Sequence, residues 1–148
     1  AAILVAVWIA RESERAAAKG ARSHAEVFQV TLVAALQRAH FAARMQNAAL
    51  VSEALAELRE VQLIGQSVSL DKLITNKVVL VSLLRTLCAS SIELLESFLG
   101  TVVTINSSDY RILGEEVEKR LRRHEQIAAG RTVQMDTPSS SLYGGWRR

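Results

Sequence analysis

The sequence has few of the residues that build turns, sheets and cross-links. It contains one proline, one cysteine and seven glycines, and aromatic residues make up 5% of the chain. A single cysteine excludes an internal disulfide framework, and so few turn-forming and aromatic residues argue against a β-sandwich or an enzyme-like α/β domain. Because 49% of the residues are hydrophobic, with much alanine, leucine, glutamate and arginine, we predict one all-α domain with a real core.

The excess of positive over negative charge is also small. The chain has 18 basic and 15 acidic residues, a net charge of +3, which is too small to imply a nucleic-acid partner. The densest basic run, residues 119–124, is interpreted as a solvated helix face, because glutamates surround it. Contact with anionic lipid or nucleic acid is the alternative for this run.

The first ten residues, AAILVAVWIA, carry no charge, and Arg11-Glu12-Ser13-Glu14-Arg15 follows at once. Ten helical residues rise about 15 Å, half of a hydrocarbon core of about 30 Å. Residues 1–10 are therefore predicted to be the C-terminal part of a transmembrane anchor, with Trp8 near the lipid–water interface. The end of a buried core helix and the core of a signal peptide are the alternatives.

Basic residues directly after this segment set the expected orientation. Arg11, Arg15, Lys19 and Arg22 lie within residues 11–24, a predicted juxtamembrane basic helical segment. Since positive charge marks the cytoplasmic side, we expect a single-pass membrane protein whose helical domain is cytoplasmic and whose N-terminal segment contacts lipid. Residues 25–130 are assigned to the helical bundle, and residues 131–148 to a disordered tail.

Hydrophobic periodicity predicts three helices. The first covers residues 21–64, which contain no glycine or proline, the second about residues 70–105, and the third about residues 109–129. Gly65 and Gly130 are predicted to end the first and the third. The predicted fold is a long antiparallel hairpin with a shorter third helix, resembling a three-helix bundle or coiled coil. A second transmembrane span is the alternative for residues 70–105, although Lys77, Arg85, Glu93 and Glu96 interrupt it.

These unequal lengths leave the distal half of the predicted hairpin uncovered. A large exposed apolar surface usually marks an interface, so we predict a homodimer or another homo-oligomer, or docking of a protein partner. The candidate interface residues are apolar positions on the first two predicted helices: Leu50, Leu55, Leu58, Val78, Val81 and Leu84.

No catalytic, cofactor-binding or metal-binding residue is predicted. The three histidines, His24, His40 and His124, lack the Glu-x-x-His and His-Glu-x-x-His patterns of metal sites. His124 is expected to make a buried hydrogen bond, and Cys88 to be a small core residue. We therefore expect a membrane-anchored structural or interaction protein that is not an enzyme. The alternatives are a soluble all-α adaptor and a helical sensor that binds a small ligand between its helices.

Overall fold

The structure, a computed structural model, describes residues 2–101 and 104–130. These residues form α1 (Ala2–Arg44), α2 (Ala48–Gln66), a 3-10 turn (Leu70–Lys72), α3 (Thr75–Thr101) and α4 (Ser107–Ala128). No strand occurs within this part of the chain, which confirms the all-α prediction. The predicted tail, residues 131–148, lies outside the described residues.

The four helices form an up-down-up-down bundle. α1 packs on α2 and α4, and α3 packs on the same two helices from the opposite corner. Short connections join successive helices, as antiparallel neighbours require. The predicted arrangement of one long hairpin and a shorter third helix was therefore wrong in its helix count: the hairpin's first arm is two helices.

The break between α1 and α2 lies at residues 45–47. Gln46 has a φ of 51°, in the left-handed region that ends helices. Asn47 follows in an extended conformation, and its side chain accepts a hydrogen bond from the backbone N–H of Leu50, which caps α2. The chain thus reverses at a short polar turn that contains neither glycine nor proline.

Apolar side chains from all four helices form one core. α1 contributes Phe28, Leu32 and Leu36, and fully buried leucines of the other helices meet them, among them Leu58, Leu84, Leu87, Leu94, Leu95 and Leu113. Gly65 lies inside α2 rather than at a left-handed cap. A Cβ atom at this position would lie 2.5 Å from Cζ of Phe28, so a residue without a side chain lets the ring pack against the α2 backbone.

The later helix ends follow local capping chemistry. α4 begins with a capping box, in which Asn106 accepts from the N–H of Asp109 and Asp109 accepts from the N–H of Asn106. After α4, Gly130 has a φ of 75°, as predicted for a left-handed cap. α3 begins at Thr75, later than the predicted start near Leu70, because the short 3-10 turn precedes it.

Candidate functional site

The first part of α1 extends beyond the bundle. Residues 4–17 are all exposed, whereas Ala21 and Ala25 are the first buried residues of the helix. The exposed side chains of this overhang include Leu4, Val5, Val7, Trp8 and Ile9. At about 100° per residue these side chains cover roughly 200° of the helix, and exposed Ala6 and Ala10 lie on the remaining side. A helix that is apolar all round needs an apolar environment on all sides.

Charged residues begin where the apolar run of the overhang ends. Arg11, Glu12, Glu14 and Arg15 are all exposed, and Arg15 forms a 3.3 Å ion pair with Glu12. The overhang therefore changes from wholly apolar to mainly charged within one helical turn, about 15 Å before the first buried residue of the bundle. The sequence identified this segment, and the structure adds that no described part of the chain covers it.

Within the described residues, one helical segment, Thr75–Gly100 of α3, is long and apolar enough to cross a membrane. The core helix of a bundle meets the same criterion. The exposed positions of α3 include Ser82, Thr86, Glu93 and Glu96, which share its outward face. Lipid would require apolar side chains on that face, so the composition of α3 fits a core helix.

The predicted interface residues belong mainly to the interior of the bundle. Leu55, Leu58, Val81 and Leu84 are buried against the chain's own helices, and Leu50 and Val78 are partly buried. The prediction assumed an uncovered two-helix hairpin, whereas α1 and α4 complete the bundle around α2 and α3. Four of the six side chains thus pack inside the bundle of one chain, whereas Leu50 and Val78 keep part of their surface exposed.

The outward faces of the four helices differ in charge. Charged residues lie on the outward face of α2 (Glu53, Arg59, Glu60), of α3 (Glu93, Glu96) and of α4 (Arg111, Glu115, Glu118, Arg122). The outward face of α1 instead carries exposed Val27, Val30 and Phe41, with half-buried Ala34 between them. Arg22, Glu26 and Arg38 flank this face. Apart from the overhang, α1 therefore has three exposed large apolar side chains, whereas α2 and α3 have one each, Leu63 and Val79.

A buried arginine joins α4 to α3. Arg120 is 2% exposed, and its guanidinium donates to the Glu116 carboxylate at 3.3 Å, to the Glu116 carbonyl at 3.1 Å and to Ser90 Oγ at 3.1 Å. Lys119 also pairs with Glu116 at 2.9 Å. The sequence placed this basic run on a solvated face and missed the burial of Arg120. Arg120 lies three residues after Val117 and seven after Leu113, both in the core, and this helical spacing was the available signal.

His124 joins α4 to α1. Its Nε2 donates to the carbonyl oxygen of Gln29 at 2.9 Å, and the ring is buried. Burial lowers the pKa of His124, and the hydrogen bond to Gln29 opposes this shift. The predicted buried hydrogen bond is confirmed, and its partner is a backbone carbonyl of α1.

A small cavity of about 150 Å³ lies between α1, α2 and α3, lined by Phe28, Gln62, Gln66, Arg85 and Cys88. Arg85 donates to the carbonyls of Gly65 (2.9 Å) and Val68 (3.0 Å), which stabilises the end of α2. Burial raises the pKa of the Cys88 thiol to about 11, and its Sγ lies 3.6 Å from the carbonyl oxygen of Leu58. A buried, protonated thiol is a poor nucleophile, as expected for a core cysteine.

No group of three or more metal-binding side chains occurs in residues 2–101 and 104–130. No family model, no curated protein and no solved structure matches this chain. A functional proposal can rest on two surfaces, the overhang of α1 and the exposed apolar residues Val27, Val30 and Phe41 on the outward face of the same helix.

Proposed function

We propose that this protein is a membrane-anchored interaction module, in which the overhang of α1 enters the lipid and the four-helix bundle stands off the membrane surface. The observation that carries the proposal is the exposure of Leu4, Val5, Val7, Trp8 and Ile9, which cover roughly 200° of one helix, with exposed Ala6 and Ala10 on the remaining side. Water disfavours such a surface by about 25 cal/mol per Å² of apolar area, and lipid removes this cost.

The charges that follow the apolar run of the overhang support the proposed orientation. Arg11, Arg15, Lys19 and Arg22 follow the apolar residues within the first helical turns. Positive residues next to a membrane segment favour the cytoplasmic side, so the proposal places the bundle in the cytoplasm as part of a single-pass protein. α1 is continuous from Ala2 to Arg44, which supports a stiff link between membrane and bundle.

Fractionation of cells that express the full-length protein tests the anchor. We expect the wild-type protein in the membrane fraction after washing with high salt and with alkaline carbonate. The double variant Val5→Glu/Ile9→Glu should move to the soluble fraction, because a buried charge costs about 2.5–3.5 kcal/mol near the centre of a membrane helix. The matched control, Leu63→Glu/Val79→Glu, changes exposed apolar residues of the bundle and should stay membrane-bound.

A soluble all-α adaptor is the competing function, with the overhang covered by another protein. Release of the wild-type protein by high salt alone would favour the adaptor and contradict the anchor. The sensor alternative finds less support. The cavity beside Arg85 is about 150 Å³, below the roughly 300–1,000 Å³ of most small-molecule sites, and the larger space of about 490 Å³ between α1 and α4 is a groove open to solvent.

A further inference from the structure

The outward face of α1 carries a regular seven-residue repeat. Uncharged residues recur at alternating steps of four and three along the helix: Ile9, Ser13, Ala16, Gly20, Ser23, Val27, Val30, Ala34, Gln37 and Phe41. We call this set the α1 seam. A seven-residue spacing is the geometry by which one helix packs along another in a left-handed coiled coil, where the repeat positions are apolar. Ile9, Val27, Val30 and Phe41 are the large apolar residues of this set.

The seam is separate from the residues that hold the bundle together. The core face of α1 contains Phe28, Leu32 and Leu36, and at about 100° per residue its centre lies roughly 145° from the centre of the seam. Val30 is 64% exposed, Phe41 56% and Val27 50%. The intramolecular core therefore does not account for the repeat.

We infer that the α1 seam pairs with the same seam of a second copy, in a parallel two-stranded coiled coil that begins at the membrane exit. The parallel direction rests on the proposed anchor, because two overhangs in one membrane with one orientation point both α1 helices the same way. In a parallel pair each seam residue meets its own counterpart, so a seam without charges brings no like charges together.

The residues that flank the seam fit a parallel pair. In such a pair, the residue directly before every second seam position (Ser13, Gly20, Val27 and Ala34) faces the residue five places later on the other helix. These facing pairs are Glu12 with Ala17, Lys19 with His24, Glu26 with Thr31, and Val33 with Arg38. None of them sets two carboxylates, or two lysine or arginine side chains, against each other.

The area of the seam reaches the lower limit for a specific dimer. From Ile9 to Phe41 it runs roughly 48 Å at 1.5 Å per residue, on a helix about 10 Å wide. Two such strips bury about 1,000 Å² together, the lower limit for a specific protein interface. Near the membrane exit the small residues Ala16 and Gly20 are spaced four apart, a pattern that lets two helices approach closely.

A lipid surface is a poorer occupant for the seam. Phe41 lies about 46 Å along the helix from Ala10, so lipid that holds the overhang does not reach the distal half of the seam. A second copy has the same repeat at the same height above the membrane and can cover all of it.

Cross-linking of cysteine variants in membranes tests the inference. Ser23→Cys, Val30→Cys and Gln37→Cys each place a thiol on the seam of the full-length protein, and copper phenanthroline with air oxygen forms disulfides between copies. We expect all three variants to cross-link. Wild type should not, because Cys88 is buried. Leu63→Cys and Val79→Cys, at exposed positions of the bundle, are the matched controls and should not cross-link.

Particle mass in mild detergent gives a second measurement. The wild-type protein should have the mass of a dimer, and Val30→Glu should weaken dimerisation at least tenfold while its helical content stays unchanged. Val79→Glu, a valine replaced at a similarly exposed position of α3, should remain dimeric. Equal behaviour of the two variants would contradict a dimer that uses the seam.

The outcomes separate this inference from the anchor. A membrane-bound protein that is monomeric and forms no seam disulfide overturns the inference and leaves the anchor intact. Cross-linking at one seam position only indicates an antiparallel pair and overturns the parallel coiled coil. A soluble protein that still cross-links at all three positions supports the seam and overturns the anchor.

Discussion

Arg120 is the largest side chain that the bundle encloses among the described residues. Burial of a charge is costly unless hydrogen bonds replace its water. Glu116 supplies a carboxylate and a carbonyl one turn earlier on α4, and Ser90 supplies a hydroxyl from α3. Acceptors on both α4 and α3 therefore replace the water of the guanidinium, and these hydrogen bonds fix the position of α4 against α3.

Replacement of Arg120 by alanine should destabilise the bundle by about 3 kcal/mol, because it leaves the buried Glu116 carboxylate with Lys119 alone and opens a void. Arg122→Ala is the matched control. Arg122 pairs with Glu118 at the same i,i+4 spacing, but both side chains are largely exposed, so the loss should stay below about 0.5 kcal/mol. Denaturant unfolding of the two variants in detergent gives the comparison, and equal losses would contradict a structural role for the buried ion pair.

His124 should make the stability of the bundle depend on pH. Burial lowers its pKa from the ordinary value of 6.5, so the unfolded chain binds the proton more tightly than the folded one. The stabilisation is complete above pH 6.5 and is lost as the pH falls below that value. His124→Gln keeps an N–H donor for Gln29 without a titrating group, and its unfolding midpoint should fall less between pH 7 and about pH 5. His24→Gln, at an exposed position of α1, is the control and should follow wild type. If His124→Gln also followed wild type across this range, the mechanism would be contradicted.

At the level of elements, the sequence predicted helical content far better than helix boundaries. Periodicity identified the apolar faces of α1, α2, α3 and α4, because each buries a stripe with a helical repeat. It missed the turn at residues 45–47, since apolar residues recur at helical spacing on both sides of it. The turn depends on a positive φ at Gln46 and a cap at Asn47. Glutamine and asparagine also occur within helices, so these residue types alone did not predict a turn. This one turn divides the predicted first helix into α1 and α2. The bundle therefore has four helices, and they enclose most of the predicted interface residues.

The cap at Asn47 can be measured directly. Asn47→Ala removes the acceptor for the N–H of Leu50 and should lower the free energy of unfolding by about 1 kcal/mol. Asn47→Asp retains a side-chain oxygen at the helix start and should remain within about 0.5 kcal/mol of wild type. If both variants unfolded like wild type, the turn would owe its position to packing of the bundle and not to the cap.

At the level of the whole molecule, α1 belongs to two environments. Its residues after Gly20 pack on α2 and α4, whereas nothing in the described chain packs on residues 4–17. A helix without tertiary contacts is marginally stable in water. The stretch between the apolar overhang and the bundle, which contains Arg11, Arg15 and Lys19, should therefore open more readily than any helix of the bundle.

Limited trypsin digestion of membranes that contain the protein should show this difference. We expect the first cut on the N-terminal side of the bundle after Arg11, Arg15 or Lys19, which releases a soluble bundle whose first residue mass spectrometry can read. Lys119 and Arg122 are as exposed as these sites but lie on a packed helix, so cleavage there should be slower. In Val30→Glu the cut between Arg11 and Lys19 should be faster, because loss of the second α1 removes the one contact proposed for this stretch. A first cut at Lys72 or Lys77, with residues 11–19 intact, would show that the overhang is packed more firmly than the loop between α2 and α3.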